Sequence, residues 1–91
     1  MDHEKRRILF KALGDKTRYR IVSILANHEK CACELPKLVK RAQPTVSLQL
    51  KYLVRAGILS NRKDGKEVVY WVSNSRVRRL LGRGTNPRQS L

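Results

Sequence analysis

The chain is poor in most of what a secreted, membrane-spanning or catalytic protein uses. Its 91 residues include 2 Cys, 2 His, 3 Pro, 5 Gly and only 7 acidic side chains. No apolar stretch approaches the roughly 20 residues that cross a bilayer, which excludes a transmembrane helix. The start, Met1-Asp2-His3-Glu4-Lys5-Arg6-Arg7, has no apolar core behind its charges and does not read as a secretory signal. A cytoplasmic location is expected, with Cys31 and Cys33 as thiols rather than a structural disulfide. There is no Ser/His/Asp set and no phosphate-cradling glycine loop, so the expectation is that the chain is not an enzyme. A chain this small hides little more than about 60% of its unfolded surface, which argues against large clefts and for a partner subunit. No internal repeat is present.

What is present is positive charge. Lys and Arg number 21, for a formal net charge of +14, while 41% of the residues are hydrophobic. That is too apolar for a disordered basic tail and describes a folded basic domain. Its expected partner is a polyanion, with nucleic acid first.

Residues 4–13 place Ile8, Leu9, Ala12 and Leu13 at helical spacing, and Gly14 breaks the pattern. Asp15 is a good N-cap for a second helix reaching about Leu25, with Tyr19, Ile21, Val22 and Leu25 on its apolar stripe. A third, short helix is expected to begin between Cys31 and Glu34 and to carry Leu35, Leu38 and Val39, with Pro36 in its first turn. Residues 41–44 read as a tight turn into a regular helix over 45–56. Its buried stripe is Val46, Leu50, Leu53 and Val54, and Gly57 ends it. Thr45, Leu48, Lys51, Tyr52 and Arg55 point away from that stripe. Two short helices and a polar-faced helix after a tight turn make a helix-turn-helix pattern.

The period then drops to 2. Residues 58–63 and 67–72 read as strands around an Asp64-Gly65 turn, a hairpin whose tip carries Arg62, Lys63 and Lys66. Residues 75–81 form a basic helix with Val77, Leu80 and Leu81 as its apolar edge. The expected fold is mainly α with a small β-hairpin, a winged helix-turn-helix of order α-α-α-αR-β-β-α over residues 1–81. A flexible basic tail over residues 82–91 completes the chain.

Three separated stretches carry a family resemblance. Residues 12–21, Ala-Leu-Gly-Asp-Lys-Thr-Arg-Tyr-Arg-Ile, resemble the phrase ALGDPTRLRI, with Lys16 where proline is usual. Gln43-Pro44-Thr45-Val46-Ser47, Leu50-Lys51-Tyr52-Leu53 and Ala56-Gly57-Ile58-Leu59 resemble a recognition helix and its exit. Arg62-Lys63-Asp64-Gly65-Lys66 and Val69-Tyr70-Trp71 resemble a wing. Together they look like the ArsR/SmtB family of winged-helix repressors, over roughly residues 5–81. The resemblance implies a homodimer joined through the first and last helices, released from operator DNA by a metal, metalloid or redox signal.

The residues support the DNA part by themselves. Thr45, Ser47 and Gln49 can bond to base edges and Gln43 sits at the helix entrance. Tyr52 lies on the same outward face. Leu48 fits either a thymine methyl or a packing contact with the preceding helix. Lys37, Arg41, Lys51, Arg55, Arg62, Lys63 and Lys66 are cast as phosphate clamps, which give affinity and salt dependence but little sequence choice.

Cys31-Ala32-Cys33 is the sharpest chemical feature. It resembles the paired cysteines of arsenic- and cadmium-sensing members. The third cysteine of the arsenic pattern falls at Pro36, so a third ligand would come from His28, His3 or an external thiol. In a continuous helix the two thiols would point about 200° apart, so joint binding of a soft ion would distort the helix start. Three readings stay open: sensing of arsenite, antimonite or another soft metal; a redox switch with Lys30 lowering a thiol pKa; or two small residues filling a junction. Residues 73–79 offer no Asp or His, so the last-helix zinc site of other members is not expected. The competing function is a constitutive or redox-responsive DNA-binding protein without a metal effector. A protein-binding winged helix would instead show an exposed apolar patch, whereas the outward surface reads as basic.

Overall fold

The computed structural model describes residues 3–81. The expected tail over 82–91 lies outside them. α1 (His3–Leu13) places Ala12 in the core, with Leu9 and Leu13 packed against it. α2 (Lys16–Asn27) starts as the Asp15 cap requires. The Asp15 backbone is extended and its carboxylate accepts the Arg18 N–H at 2.9 Å. Ile21, Val22, Leu25 and Ala26 are buried, but Tyr19 is 49% exposed. It sits in the first turn of α2, over a groove shared with Phe10, Leu13, Leu80 and Leu81 rather than over the core.

The third helix begins later than the sequence suggests. Lys30–Cys31 form a two-residue strand, β1, and α3 spans only Leu35–Val39. β1 takes the backbone of Cys31 into a sheet, and the Glu34 carboxylate accepts the Cys31 N–H at 2.9 Å. Pro36 lies in the first turn of α3, where its missing N–H costs nothing. Leu35 and Val39 are buried while Leu38 is 42% exposed.

Lys40, in the left-handed region at φ 59°, turns the chain into α4 (Gln43–Arg55), which starts two residues before Thr45. Val46, Leu50 and Leu53 are buried as the stripe predicts, and Val54 is half-buried. Gly57, at φ 80°, ends the helix. Its N–H donates to the Val54 carbonyl and that of Ile58 to the Leu53 carbonyl, both at 3.0 Å, the paired bonds of a Schellman motif.

β2 (Leu59–Asp64) and β3 (Glu67–Val72) pair antiparallel, with Asp64 opposite Glu67. The loop is therefore Gly65-Lys66, one residue beyond the Asp64-Gly65 expected. Gly65 takes φ 68° at the first loop position, where a type II′ turn requires glycine. β1 joins the other side of β3, giving the order β1-β3-β2, so the sheet has three strands rather than a lone hairpin. α5 (Ser75–Leu80) is capped by Asn74, whose Oδ1 accepts from the Arg76 and Val77 N–H groups. The Asn74 Nδ2 donates to the Gly57 carbonyl at 3.1 Å, tying the start of α5 to the end of α4.

One core joins these elements, with Ile21, Leu35, Leu53 and Ile58 fully buried. Burying each such side chain stabilises by about 1.5–3 kcal/mol relative to exposure. The outer surface is not uniformly basic. Phe10 is 59% and Leu80 60% exposed on adjoining faces of α1 and α5, beside an open groove of about 420 Å³ lined by Leu9, Phe10, Val77 and Leu80 together with Arg6, Arg76 and Arg79.

Candidate functional site

Two features stand apart from the core: the outer face of α4 with the β2–β3 hairpin, and a thiol cluster at the junction of β1 with β3. On α4, Gln43, Thr45, Ser47, Leu48, Lys51 and Arg55 are exposed, and Gln49 and Tyr52 are half-buried. Leu48 is 66% exposed, which leaves most of its side chain open to an apolar contact outside. Gln49 and Tyr52 both meet Arg18 of α2. Arg18 Nη1 donates to Gln49 Oε1 at 3.0 Å, and the guanidinium carbon lies 4.0 Å from the centre of the Tyr52 ring. Lys37 on α3 and Arg41 before α4 are exposed, with Arg41 Nη1 donating to the Lys40 carbonyl.

At the hairpin, Lys63 and Lys66 are exposed. Arg62 turns back to the body. Its Nη2 lies 3.0 Å from Glu29 Oε2 and its guanidinium carbon 5.5 Å from the Trp71 ring centre. The Glu29 carboxylate accepting from it holds the Arg62 pKa above the usual arginine range. Such half-exposed pairs contribute little stability, so Arg62 can exchange Glu29 for a phosphate at small cost.

The cysteines do not diverge. Cys31 opposes Val69 on β3, and Glu67 is two residues along the same strand, on the same face. Cys33 follows Cys31 by two positions in a turn, and its N–H donates to Cys31 Sγ at 3.1 Å. The sulfurs and a Glu67 oxygen all lie within 4.8 Å of one another. Cys31 Sγ and Cys33 Sγ both donate to Glu67 Oε1, the latter at 3.2 Å. An extended lead-in, rather than a helix start, brings both thiols to one side. Two sulfurs and a carboxylate oxygen within this reach fit a thiophilic metal or metalloid.

The third member of the cluster is Glu67. His28, at the end of α2, and His3, at the start of α1, are exposed and lie outside this cluster among the described residues. Sequence alone misses Glu67 because only the β1–β3 pairing brings it to Cys31. Nor does Lys30 leave Cys33 an activated thiolate. Hydrogen bonding to Cys31, and then to Glu67, pushes the Cys33 thiol up to about 12. Bonds from Cys31 and Cys33 hold the Glu67 carboxyl below the usual carboxylate range.

A reactivity prediction follows. At pH 8 Cys33 carries far less thiolate than an ordinary exposed cysteine, so iodoacetamide should alkylate it more slowly than a free thiol of the same exposure. Glu67→Gln removes a charge that raises the thiol pKa and should speed the reaction. Equal rates in both proteins, followed by mass spectrometry, would show that Glu67 does not hold the thiol.

A helix with an exposed polar face after a tight turn, followed by a basic hairpin, defines a winged helix-turn-helix DNA-binding protein. Residues 15–61 match the bacterial regulatory protein, arsR family. Over 80 residues the chain is 39% identical to an uncharacterized HTH-type transcriptional regulator of Methanocaldococcus jannaschii, covering 87% of this chain and 90% of that protein. It is 42% identical over 66 residues to the arsenical resistance operon repressor of Escherichia coli, covering 71% of this chain but only 56% of the repressor. The structure of reduced HlyU from Vibrio cholerae superposes with a TM-score of 0.83 at 28% identity, covering 87% and 83% of the two chains. The chain belongs to the ArsR/SmtB family and is a DNA-binding transcriptional regulator, not an enzyme. Among the described residues no helix is long and apolar enough to cross a membrane.

Proposed function

We propose that the chain is a homodimeric repressor that binds operator DNA and is released by a thiophilic inducer held by Cys31, Cys33 and Glu67. Arsenite, antimonite or another soft metal ion is the class of inducer. The carrying observation is the position of the three donors. Cys31 and Cys33 lead into α3, which packs against α4, while Glu67 begins the returning strand of the hairpin. Drawing these donors together acts on α3 and the wing at once, the two supports of the DNA-reading surface. A coupling of about 1–3 kcal/mol between inducer and operator is enough for control. A trivalent arsenic hydroxide suits protonated sulfurs, because each As–S bond forms as a hydroxide leaves with the thiol proton as water. The high Cys33 pKa counts against a redox switch that works through a Cys33 thiolate.

The exposed Phe10 and Leu80 on α1 and α5 support self-association through the end helices. In such a dimer the two α4 helices would enter successive major grooves about one helical turn apart. Gln43, Thr45, Ser47, Leu48, Gln49 and Tyr52 are the recognition-helix candidates, and Lys37, Arg41, Lys51, Arg55, Arg62, Lys63 and Lys66 the phosphate contacts.

Fluorescence anisotropy on DNA from the protein's own upstream region, with and without arsenite under reducing conditions, tests the proposal. Loss of specific binding on adding arsenite supports it. Tight binding that ignores arsenite, antimonite and soft divalent ions would overturn the inducer. The net charge of +14 favours a second reading in that event, constitutive DNA binding with no effector. Salt dependence tests the wing. Replacing Lys63 and Lys66 by Ala should flatten the log–log salt slope by about 1.8 per subunit if each lysine neutralises one phosphate, and an unchanged slope would remove the wing from the interface.

A further inference from the structure

Arg18 does more than hold two helices together. Its Nε donates to the Ala12 carbonyl at 2.9 Å and its Nη2 reaches the Lys11 carbonyl at 3.5 Å, both at the C-terminal end of α1. A cation is favoured there by the negative end of the helix dipole. The ring of Tyr52 covers the guanidinium at 4.0 Å. With the head fixed by two carbonyls and a ring, Nη1 has a set direction, and one of its two N–H groups ends on Gln49 Oε1 at 3.0 Å.

That bond decides which way the Gln49 amide faces. A guanidinium has donors only, so the amide must turn its oxygen inward to Arg18, and Nε2 with two donors is the end left for solvent or DNA. Gln49 lies one turn after Thr45 on α4, along the strip of base-facing candidates. A free glutamine reads adenine with both ends, accepting from N6 and donating to N7. Here the accepting end is turned toward Arg18, so the oxygen and the amide nitrogen cannot both face one base edge.

We infer that Arg18 is a specificity-determining positioning residue: by holding Gln49 Oε1 it makes residue 49 a donor-only reader, selecting guanine, whose O6 and N7 are both acceptors, over adenine. The assignment rests on operator binding and goes beyond it, because it names the base edge. It also gives α1 a route to the recognition helix, since the carbonyls that fix Arg18 belong to α1.

Binding-site selection from random duplex DNA with the full chain tests this, using wild type, Gln49→Ala, Gln49→Glu and Arg18→Met. Gln49→Ala identifies the base pair that depends on residue 49, and the wild type should select guanine there by about tenfold over adenine. Gln49→Glu keeps one oxygen on Arg18 and turns a second acceptor outward. The preference should then move to a donor edge, cytosine N4 or adenine N6. Arg18→Met frees Gln49 Oε1 and should raise tolerance of adenine about tenfold. Adenine selected by the wild type, or a preference that neither Gln49→Glu nor Arg18→Met moves, would overturn the assignment. If Arg18→Met loses its helical circular dichroism, Gln49→Glu decides alone. A wild type that selects no consensus at all would instead overturn sequence-specific operator binding itself.

Discussion

Replacing Cys31 and Cys33 together by Ser is expected to leave operator affinity within about twofold and to abolish release by arsenite. Neither thiol touches the hydrophobic core, and the serine hydroxyls can still donate to Glu67, so the β1–β3 junction should keep its shape. What is lost is the pair of soft ligands. If inducer and operator are coupled by the usual allosteric magnitude, the wild type loses about 5–150-fold in affinity on saturation and the double variant nothing. Titrating arsenite into each protein on labelled operator DNA reads this directly. A double variant that is still released would place the sensor elsewhere. Glu67→Gln should fall between the two, because it retains both sulfurs and weakens the third donor.

The second large effect concerns the face between α1 and α5. Phe10 and Leu80 are exposed in the single chain, so Phe10→Lys with Leu80→Lys leaves the core packing intact while adding two cations per subunit to a proposed dimer seam already lined by Arg6, Arg76 and Arg79. Light scattering should show the mass halved. Operator affinity should fall by roughly 10²–10⁴-fold, the usual loss when two linked contacts become independent ones. Weak binding to an isolated half-site should survive. A variant that stays dimeric would move the seam to another surface, and one that is monomeric but binds the full operator unchanged would remove the dimer from recognition.

Much of this fold is readable from the order of residues because its signals are local. The stripe Val46, Leu50, Leu53, the Asp15 cap and the Gly57 stop each act within a turn or two of chain, and the structure has all three where the sequence puts them. What is not readable depends on partners far along the chain. β1 is two residues long, too short for any alternation, and exists only because β3 offers it an edge. Without it, whether Cys31 and Cys33 converge depends on whether the backbone there is already helical, and Glu67 reads as one more charge at a wing. The one-residue difference in the hairpin loop has the same origin, since the β2–β3 ladder runs on to Asp64 and Glu67 and so places the turn at Gly65-Lys66. Tyr19 misleads for a related reason. Its spacing is that of a core residue, but the first turn of α2 extends past the core to the α1–α5 groove. Arg18 and Gln49 are 31 residues apart, and nothing in the spacing of either announces the bond.

The Asn74 side chain, which caps α5 and grips the Gly57 carbonyl, makes the molecule a caliper in the proposed dimer. The jaw that reads DNA and the arm that meets the other subunit are joined at one rivet. A caliper measures a fixed gap. Inserting two base pairs between half-sites should therefore weaken binding far more than changing a base within one, because neither jaw can slide to follow the new spacing.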